Sequence, residues 1–323
     1  MTVETHIQTY LRTLHTGLSD RTQTAYRQGL NLFRTYLIEE DLRPLPLDDL
    51  TADVLLGFLN YLQENYSVET EHLYSRAVLH FMRYVEKRAG NDLHAADLAA
   101  QLDAARRPKQ HHEPNLPLDI LDTILDYATM VALPTQSSTD PSRDDLRQFR
   151  DKAYILMLAD TGLRVSEMSR LRVRDFSPDD EQLVLPDRTR LPLSSTTTRV
   201  ASSYLTLRSK LDSDQTLPPE DLPLFARHDK RAGSKVLAIS RWTGNNIVNE
   251  WVDSALNADQ KRRLREEDIS ISPQTFRHYF VLTTLLETGD LDTTGALARH
   301  ADQSTTRRYL PIAKRLKNDE TGA

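Results

Sequence analysis

Side chains that can hold or attack a phosphate recur through the second half of the sequence. Arg164 follows T-G-L. Arg277 and His278 stand in S-P-Q-T-F-R-H-Y-F, and His300 and Tyr309 bracket H-A-D-Q-S-T-T-R-R-Y. A guanidinium is permanently charged and forked, so it can grip two non-bridging phosphoryl oxygens at once. An imidazole can donate to an oxygen, and a phenol hydroxyl can attack phosphorus and become esterified to it. Taken singly, each residue has an ordinary explanation. Arg164 fits a surface ion pair, His300 a packed ring with its hydrogen bonds met, and Tyr309 a packing ring near a terminus.

The surrounding pattern predicts how these groups are carried. Ser272 is a helix N-cap, and Pro273 takes the first helical position, where its missing N–H is harmless. Gln274, Arg277 and His278 then share one face, while Phe276, Phe280 and Thr283 form the face to be buried. Gly289 ends this helix as a left-handed cap. One short element delivers His300 and another delivers Tyr309. Upstream, Leu118 to Leu133 reads as a helix. So does the apolar run Phe149 to Ala159, which stops at Thr161-Gly162, with Leu163, Met168 and Leu171 inward. Gln182 to Leu185 and Arg190 to Leu193 read as two strands around P-D-R-T. Val200 to Leu211 and Ile247 to Leu256 read as helices, and Leu237 to Ile239 as a strand.

Residues 1–105 are helical in pattern, with no strand signal. Ile7, Tyr10, Leu11 and Leu14 make one stripe, and Tyr26, Leu30, Phe33 and Leu37 a second. Val54, Leu55, Phe58, Leu59 and Leu62 follow Thr51, and Leu73, Ala77, Phe81 and Val85 follow Ser67. Residues 106–117, R-R-P-K-Q-H-H-E-P-N-L-P, lack periodicity and read as a linker to a second domain at 118–323. At 323 residues the chain is long for one core and comfortable for two. It has no Cys, which excludes disulfides and thiolate metal sites, and His111-His112 has no further ligand at metal spacing. No apolar run approaches a membrane span, and M-T-V-E-T-H has neither a basic start nor an apolar signal region, so a cytoplasmic location is expected. The net charge of −6 is unusual for a nucleic-acid binder. Basic residues nevertheless cluster at Arg170, Arg172 and Arg174, at Lys261, Arg262, Arg263 and Arg265, and at Arg299, Arg307, Arg308, Lys314, Arg315 and Lys317.

In order, T-G-L-R-V-S-E-M (161–168), R-H-Y-F (277–280) and H-x8-Y (300–309) resemble the tyrosine recombinase/integrase family, which includes phage integrases and Xer-type recombinases. The resemblance covers residues 150 to 310 closely and the helical N-terminal half more loosely. It implies a mainly α protein: a helical, SAM-like core-binding domain, then a mostly helical catalytic domain with a small β-sheet. It also implies Tyr309 as nucleophile, Arg164 and Arg277 as the phosphate clamp, and His300 as a donor to the phosphate. Glu167 then orients Arg164, and His278 supports the fold beside the site. No cofactor or metal is expected. Three positions depart from the family pattern. Gln274 stands where His is usual and cannot shuttle a proton. The hairpin that usually carries a Lys as general acid offers only Arg188, whose guanidinium gives up a proton reluctantly, with Lys210 and Lys235 on nearby segments. Arg299 stands where a Gly commonly precedes the His.

The implied function is site-specific cleavage and rejoining of duplex DNA through a 3′-phosphotyrosyl intermediate. The implied assembly is a homotetramer holding two DNA sites, the two domains clamping the duplex from opposite sides and the tail beyond Tyr309 docking on a neighbouring subunit. Two alternatives share these residues: a non-catalytic DNA-binding descendant of the fold, motivated by Gln274 and the missing Lys, and a type IB topoisomerase-like relaxing enzyme.

Overall fold

Helices with one apolar face each need a partner, and in this chain they find it within two separate cores. The computed structural model describes residues 2–14, 18–89, 95–108, 114–133, 142–209, 217–229 and 236–321. They divide into compact units at Met1–His111 and His112–Ala323, and the break falls inside the proline-bearing stretch. Lys210 and Lys235 lie outside the described residues.

The first unit comprises α1 (Val3–Thr13), α2 (Asp20–Glu39), α3 (Ala52–Asn65), α4 (Val68–Ala89) and α5 (Ala95–Ala105). Its core takes Ile7, Leu30, Phe33, Leu37, Leu55, Phe58, Leu62, Phe81 and Val85, following the stripes read from the sequence. One stripe is corrected. Leu73 is 39% exposed, and the face of α4 that turns inward at this level carries Glu71 and Ser75 instead. Those polar groups have partners. The carboxylate of Glu71 accepts from Nε and the backbone N–H of Arg107, and Nε of Arg106 donates to the Ser75 hydroxyl at 2.9 Å. The start of the linker is therefore tied to α4 by buried charge-assisted bonds.

The second unit is organised around α7 (Arg143–Thr161), preceded by α6 (Leu118–Met130). Ala153 to Leu158 are all buried, so this stretch of α7 is apolar on every side and sits inside the unit. α8 (Val165–Met168) follows at once, then a three-stranded antiparallel sheet, β1 (Phe176–Ser177), β2 (Gln182–Val184) and β3 (Arg190–Pro192), in that order. Leu183 and Leu191 are paired across the sheet and fully buried. Next come α9 (Ser195–Ser209), α10 (Arg241–Ala255), α11 (Ala258–Glu266), α12 (Pro273–Thr288), α13 (Leu291–Leu297), α14 (Gln303–Arg307) and α15 (Leu310–Thr321).

Several sequence expectations shift. Helices α9 and α10 begin earlier than their apolar residues suggest. Ser240 caps α10 by accepting from the Thr243 N–H at 3.1 Å, ahead of the first apolar position. The expected strand at Leu237–Ile239 makes a single bridge, Ala226 to Ala238. α11 was read only as a basic cluster. It is a helix, and Lys261, Arg262 and Arg263 pair with Asp253, Asp259, Glu266, Glu267 and Asp119. In α15, Ile312 and Ala313 are buried beside Phe280 and Leu285.

Two glycines cap the helices that carry or precede the T-G-L-R and R-H-Y-F segments. Gly162 ends α7 at φ +56°, and Gly289 ends α12 at φ +65°. A Cβ at Gly162 would lie 2.4 Å from the Phe280 ring, whereas one at Gly289 would meet nothing within 4 Å. Both alanine variants carry the left-handed backbone cost, and only Gly162→Ala adds a clash with α12. Gly289→Ala should therefore lose about 1–2 kcal/mol, and Gly162→Ala about 2–5 kcal/mol. Both tryptophans, Trp242 and Trp251, lie in the second unit, so urea unfolding followed by their fluorescence reports on it alone. Equal losses would contradict the packing.

Candidate active site

The T-G-L-R segment is shaped by the end of α7. The Gly162 N–H closes the helix on the Leu158 carbonyl at 3.0 Å, and its left-handed backbone turns the chain into α8. Arg164 thus stands at the N-terminus of α8, 48% exposed at its side chain. Glu167 folds back beneath it: one carboxylate oxygen accepts from the Arg164 backbone N–H at 2.7 Å and the other from Nη1 at 3.1 Å. Burial alone would raise the Glu167 carboxyl. The Arg164 N–H, followed by the charges of Arg299, Arg164 and Arg277, holds it below the ordinary range. It is an anion that fixes the guanidinium above it.

α12 starts at Ser272 and Pro273 and ends at Gly289 as expected, but the N-terminal cap bond runs from the Ser272 N–H to the Thr275 hydroxyl at 3.0 Å. Arg277, however, points inward and is 3% exposed. Its Nη1 donates to the Gly162 carbonyl at 2.7 Å and its Nη2 to the Ala298 carbonyl. Burial, reinforced by Arg164 and Arg299, pushes its value down to about 10, still well above neutrality. Arg277 therefore remains a cation whose contacts with these two carbonyls are uncharged.

The second of those carbonyls comes from the end of α13. There the Arg299 N–H bonds to Ala296 O at 3.0 Å and the His300 N–H to Gly295 O at 2.9 Å, a Schellman turn. Arg299 sits at its left-handed position, φ +54°, which explains why glycine suits the residue before the His. The turn presents His300, whose Nδ1 lies 2.8 Å from the buried Thr306 hydroxyl. A threonine hydroxyl can donate or accept, and His300 carries a proton on Nε2 when Thr306 donates. Burial first, then Arg277, Arg164 and Arg299, depress His300 to about 4.

Tyr309 lies between α14 and α15, 3% exposed, within the cluster that holds Phe280, Leu285 and Ile312. Burial raises its hydroxyl to about 12 against the lowering effect of Arg308 and Arg277, so it is protonated near neutral pH. That hydroxyl meets Nδ1 of His278. A protonated phenol donates, which puts the remaining ring proton of His278 on Nε2. Gln274, whose amide lies 3.4 Å from that nitrogen, must then turn its oxygen toward it. Gln274, in the usual His position, is therefore linked to Tyr309 through His278. His278, expected only to support the fold, is the direct partner of Tyr309, a contact spanning 31 positions that no local pattern announces.

Arg188 is exposed at the tip of the β2–β3 hairpin. The chain turns through Pro186 and Asp187 into Arg188 at φ +67°, and the Leu185 N–H closes the loop on Thr189 O at 2.9 Å. Asp187 is held below the ordinary carboxyl range by its hydrogen bonds to Thr189, and to a lesser extent by the charge of Arg299. Thr306 is the remaining site residue that motif reading misses, and Arg299 stands out there only as a departure from glycine. Among the described residues, no three His, Asp or Glu side chains are grouped to hold a metal ion.

Residues 132–315 match the phage integrase family. Over nearly its whole length the chain is similar to tyrosine recombinase XerD of Shewanella oneidensis, 25% identical over 92% of this chain and 88% of the relative. XerD of Staphylococcus aureus strain Mu50 is 24% identical over 97% and 95%. The fold is similar to that of the Tn1549 transposon integrase in complex with transposon right-end DNA, with TM-score 0.67, 12% identity and full coverage of both chains. It is also similar to XerH site-specific recombinase bound to palindromic difH substrate in a post-cleavage complex, with TM-score 0.65, 16% identity, and 93% and 78% coverage.

The depressed histidines generate a prediction. At pH 6 a ring with an ordinary value near 6.5 is about three-quarters protonated, whereas His278 and His300, each at about 4, are neutral. The unfolded state binds more protons there, so their contribution to stability is complete above pH 6.5 and is lost as pH falls toward 4. Ring-carbon NMR of the DNA-free chain should find both midpoints near 4. A His300 midpoint at or above 6.5 would contradict the environment described.

Proposed function

The chain belongs to the phage integrase family, whose members cleave and rejoin DNA, and from that premise we propose that it is a site-specific recombinase in which Tyr309 attacks a scissile phosphate gripped by Arg164, Arg277 and His300. The observation that carries these roles is the convergence of Arg164, Arg277 and Arg299 on Gly162 and Glu167, together with a charge on Arg277 that two main-chain carbonyls bond but do not cancel. An environment of that kind stabilises charge developing on phosphoryl oxygens.

The Tyr309 oxygen bonds to phosphorus, the bond to the 5′ oxygen breaks, and a 3′-phosphotyrosyl ester remains. His278 receives the phenol proton at Nδ1, and Gln274 keeps its other nitrogen oriented. Arg188 takes the weaker part of a hydrogen-bond donor to the departing 5′ oxygen, whose proton comes from water. Resealing reverses these steps with a DNA hydroxyl as attacking group. The unit Met1–His111 serves as the core-binding domain and the unit His112–Ala323 as the catalytic domain, the two holding duplex DNA from opposite faces. Strand exchange takes place in a homotetramer on two sites, in the cytoplasm. No helix among the described residues is long and apolar enough to cross a membrane, which fits that location.

A nicked suicide substrate built from DNA that the chain protects in a footprint of its native locus tests the reading. The wild type should leave a covalent protein–DNA band on denaturing electrophoresis, and Tyr309→Phe should leave none. Arg277→Ala should slow the band's appearance roughly 10²- to 10³-fold. A protected site on which the wild type forms no band would overturn the recombinase reading.

A further inference from the structure

Arg299 occupies a position that its own chemistry disfavours. Its backbone is left-handed, φ +54°, where a Cβ is strained and glycine is not. Its charged side chain is only 13% exposed, and Nε is buried with no hydrogen-bond partner among the described residues. Backbone strain, burial of charge and an unmade hydrogen bond at one residue mark a side chain kept for what it does.

Its remaining contacts indicate what that is. Nη1 donates to Leu297 O at 2.8 Å, which fixes the side chain against its own turn. Nη2 lies 3.4 Å from the Glu167 carboxylate and 3.5 Å from the Gly162 carbonyl. Glu167 orients Arg164, and the Gly162 carbonyl orients Arg277. One guanidinium thus touches the supporting group of each arm of the clamp.

We propose that Arg299 is a positioning residue for phosphoryl transfer, bridging Glu167 to the Gly162 carbonyl so that Arg164 and Arg277 are held at the spacing a phosphate requires. This rests on the catalytic reading above and extends it to a residue outside the expected constellation. The bridge also keeps Glu167 from neutralising Arg164 alone, because its carboxylate is shared with a second cation. The clamp and the Schellman turn therefore meet at one side chain.

Arg299→Gly gives the test, because glycine suits the left-handed turn and removes the guanidinium together with its stem. The variant should melt at or above the wild-type temperature and bind DNA with unchanged affinity. Its rate of covalent adduct formation should nevertheless fall roughly tenfold to a hundredfold, the scale expected when reacting groups are held loosely. Arg299→Lys, which keeps the charge, should recover part of the rate. A second substrate carries a methylphosphonate at the scissile position, which removes one negative charge. On it the Arg299→Gly deficit should shrink to a few-fold, because the clamp has less charge to stabilise. A merely structural defect would reduce both substrates equally, and equal deficits overturn the proposal, as does an Arg299→Gly adduct formed at the wild-type rate. Absence of an adduct with the wild type overturns the catalytic reading and this inference with it. A wild-type adduct matched by the variant overturns the inference alone.

Discussion

A buried cation bonded by two main-chain carbonyls is the interaction on which the second unit's geometry depends. Arg277 is almost wholly removed from solvent, and its hydrogen bonds go to Gly162 O and Ala298 O. Both carbonyls close helices, α7 and α13, where orphan acceptors and the negative end of the helix dipole coincide. Such an arrangement meets the donors of a guanidinium without supplying a counter-charge. A buried cation whose hydrogen bonds go only to uncharged carbonyls is costly for folding and suited to an anion that arrives later. Both carbonyls are aimed by left-handed residues, Gly162 itself and Arg299 one position beyond Ala298. The cation site is therefore set by backbone conformation at two helix ends before any ligand is present.

The packing explains why those helix ends hold their places. α7 is surrounded by apolar contacts, and its last turn lies against the Phe280 ring of α12, the helix that carries Arg277. Phe280 in turn belongs to the cluster that encloses Tyr309, with Ala298 from the Schellman turn in the same cluster. The end of α7, the helix bearing Arg277, and Tyr309 thus share one continuous packing arrangement, and displacing any of them disturbs the others. Tyr309 is held in this state as a protonated phenol on His278, with burial dominating its ionisation.

Much of this was legible in the sequence, and the failures follow physical lines. Ser272, Pro273 and Gly289 announce the ends of α12 because capping is local chemistry. The β2–β3 hairpin is visible in its alternation and in P-D-R-T, whereas β1, two residues long, is too short to carry a period. α11 escapes notice because Leu264 is its one buried residue, and a helix without an apolar stripe looks like a charge cluster. Leu73 was placed inward on spacing alone, yet its level of α4 is taken by Glu71, whose burial depends on a distant partner, Arg107. The Tyr309–His278 contact is likewise tertiary. Arg299 was noticed only as a departure from glycine; nothing in an arginine's identity announces a left-handed turn or a bridge between two other residues' partners.

If the proposed roles hold, the cation site presents a phosphate to Tyr309 and to no other nucleophile. The most direct measurement is mass spectrometry of the trapped protein–DNA adduct after nuclease and trypsin digestion. Cleavage after Arg308 and Lys314 releases a short peptide beginning at Tyr309. That peptide is predicted to carry a 3′-linked nucleotide on its tyrosine, with the adjoining peptides unmodified. A nucleotide attached to any other residue, or an adduct that leaves the Tyr309 peptide unmodified, would contradict the account.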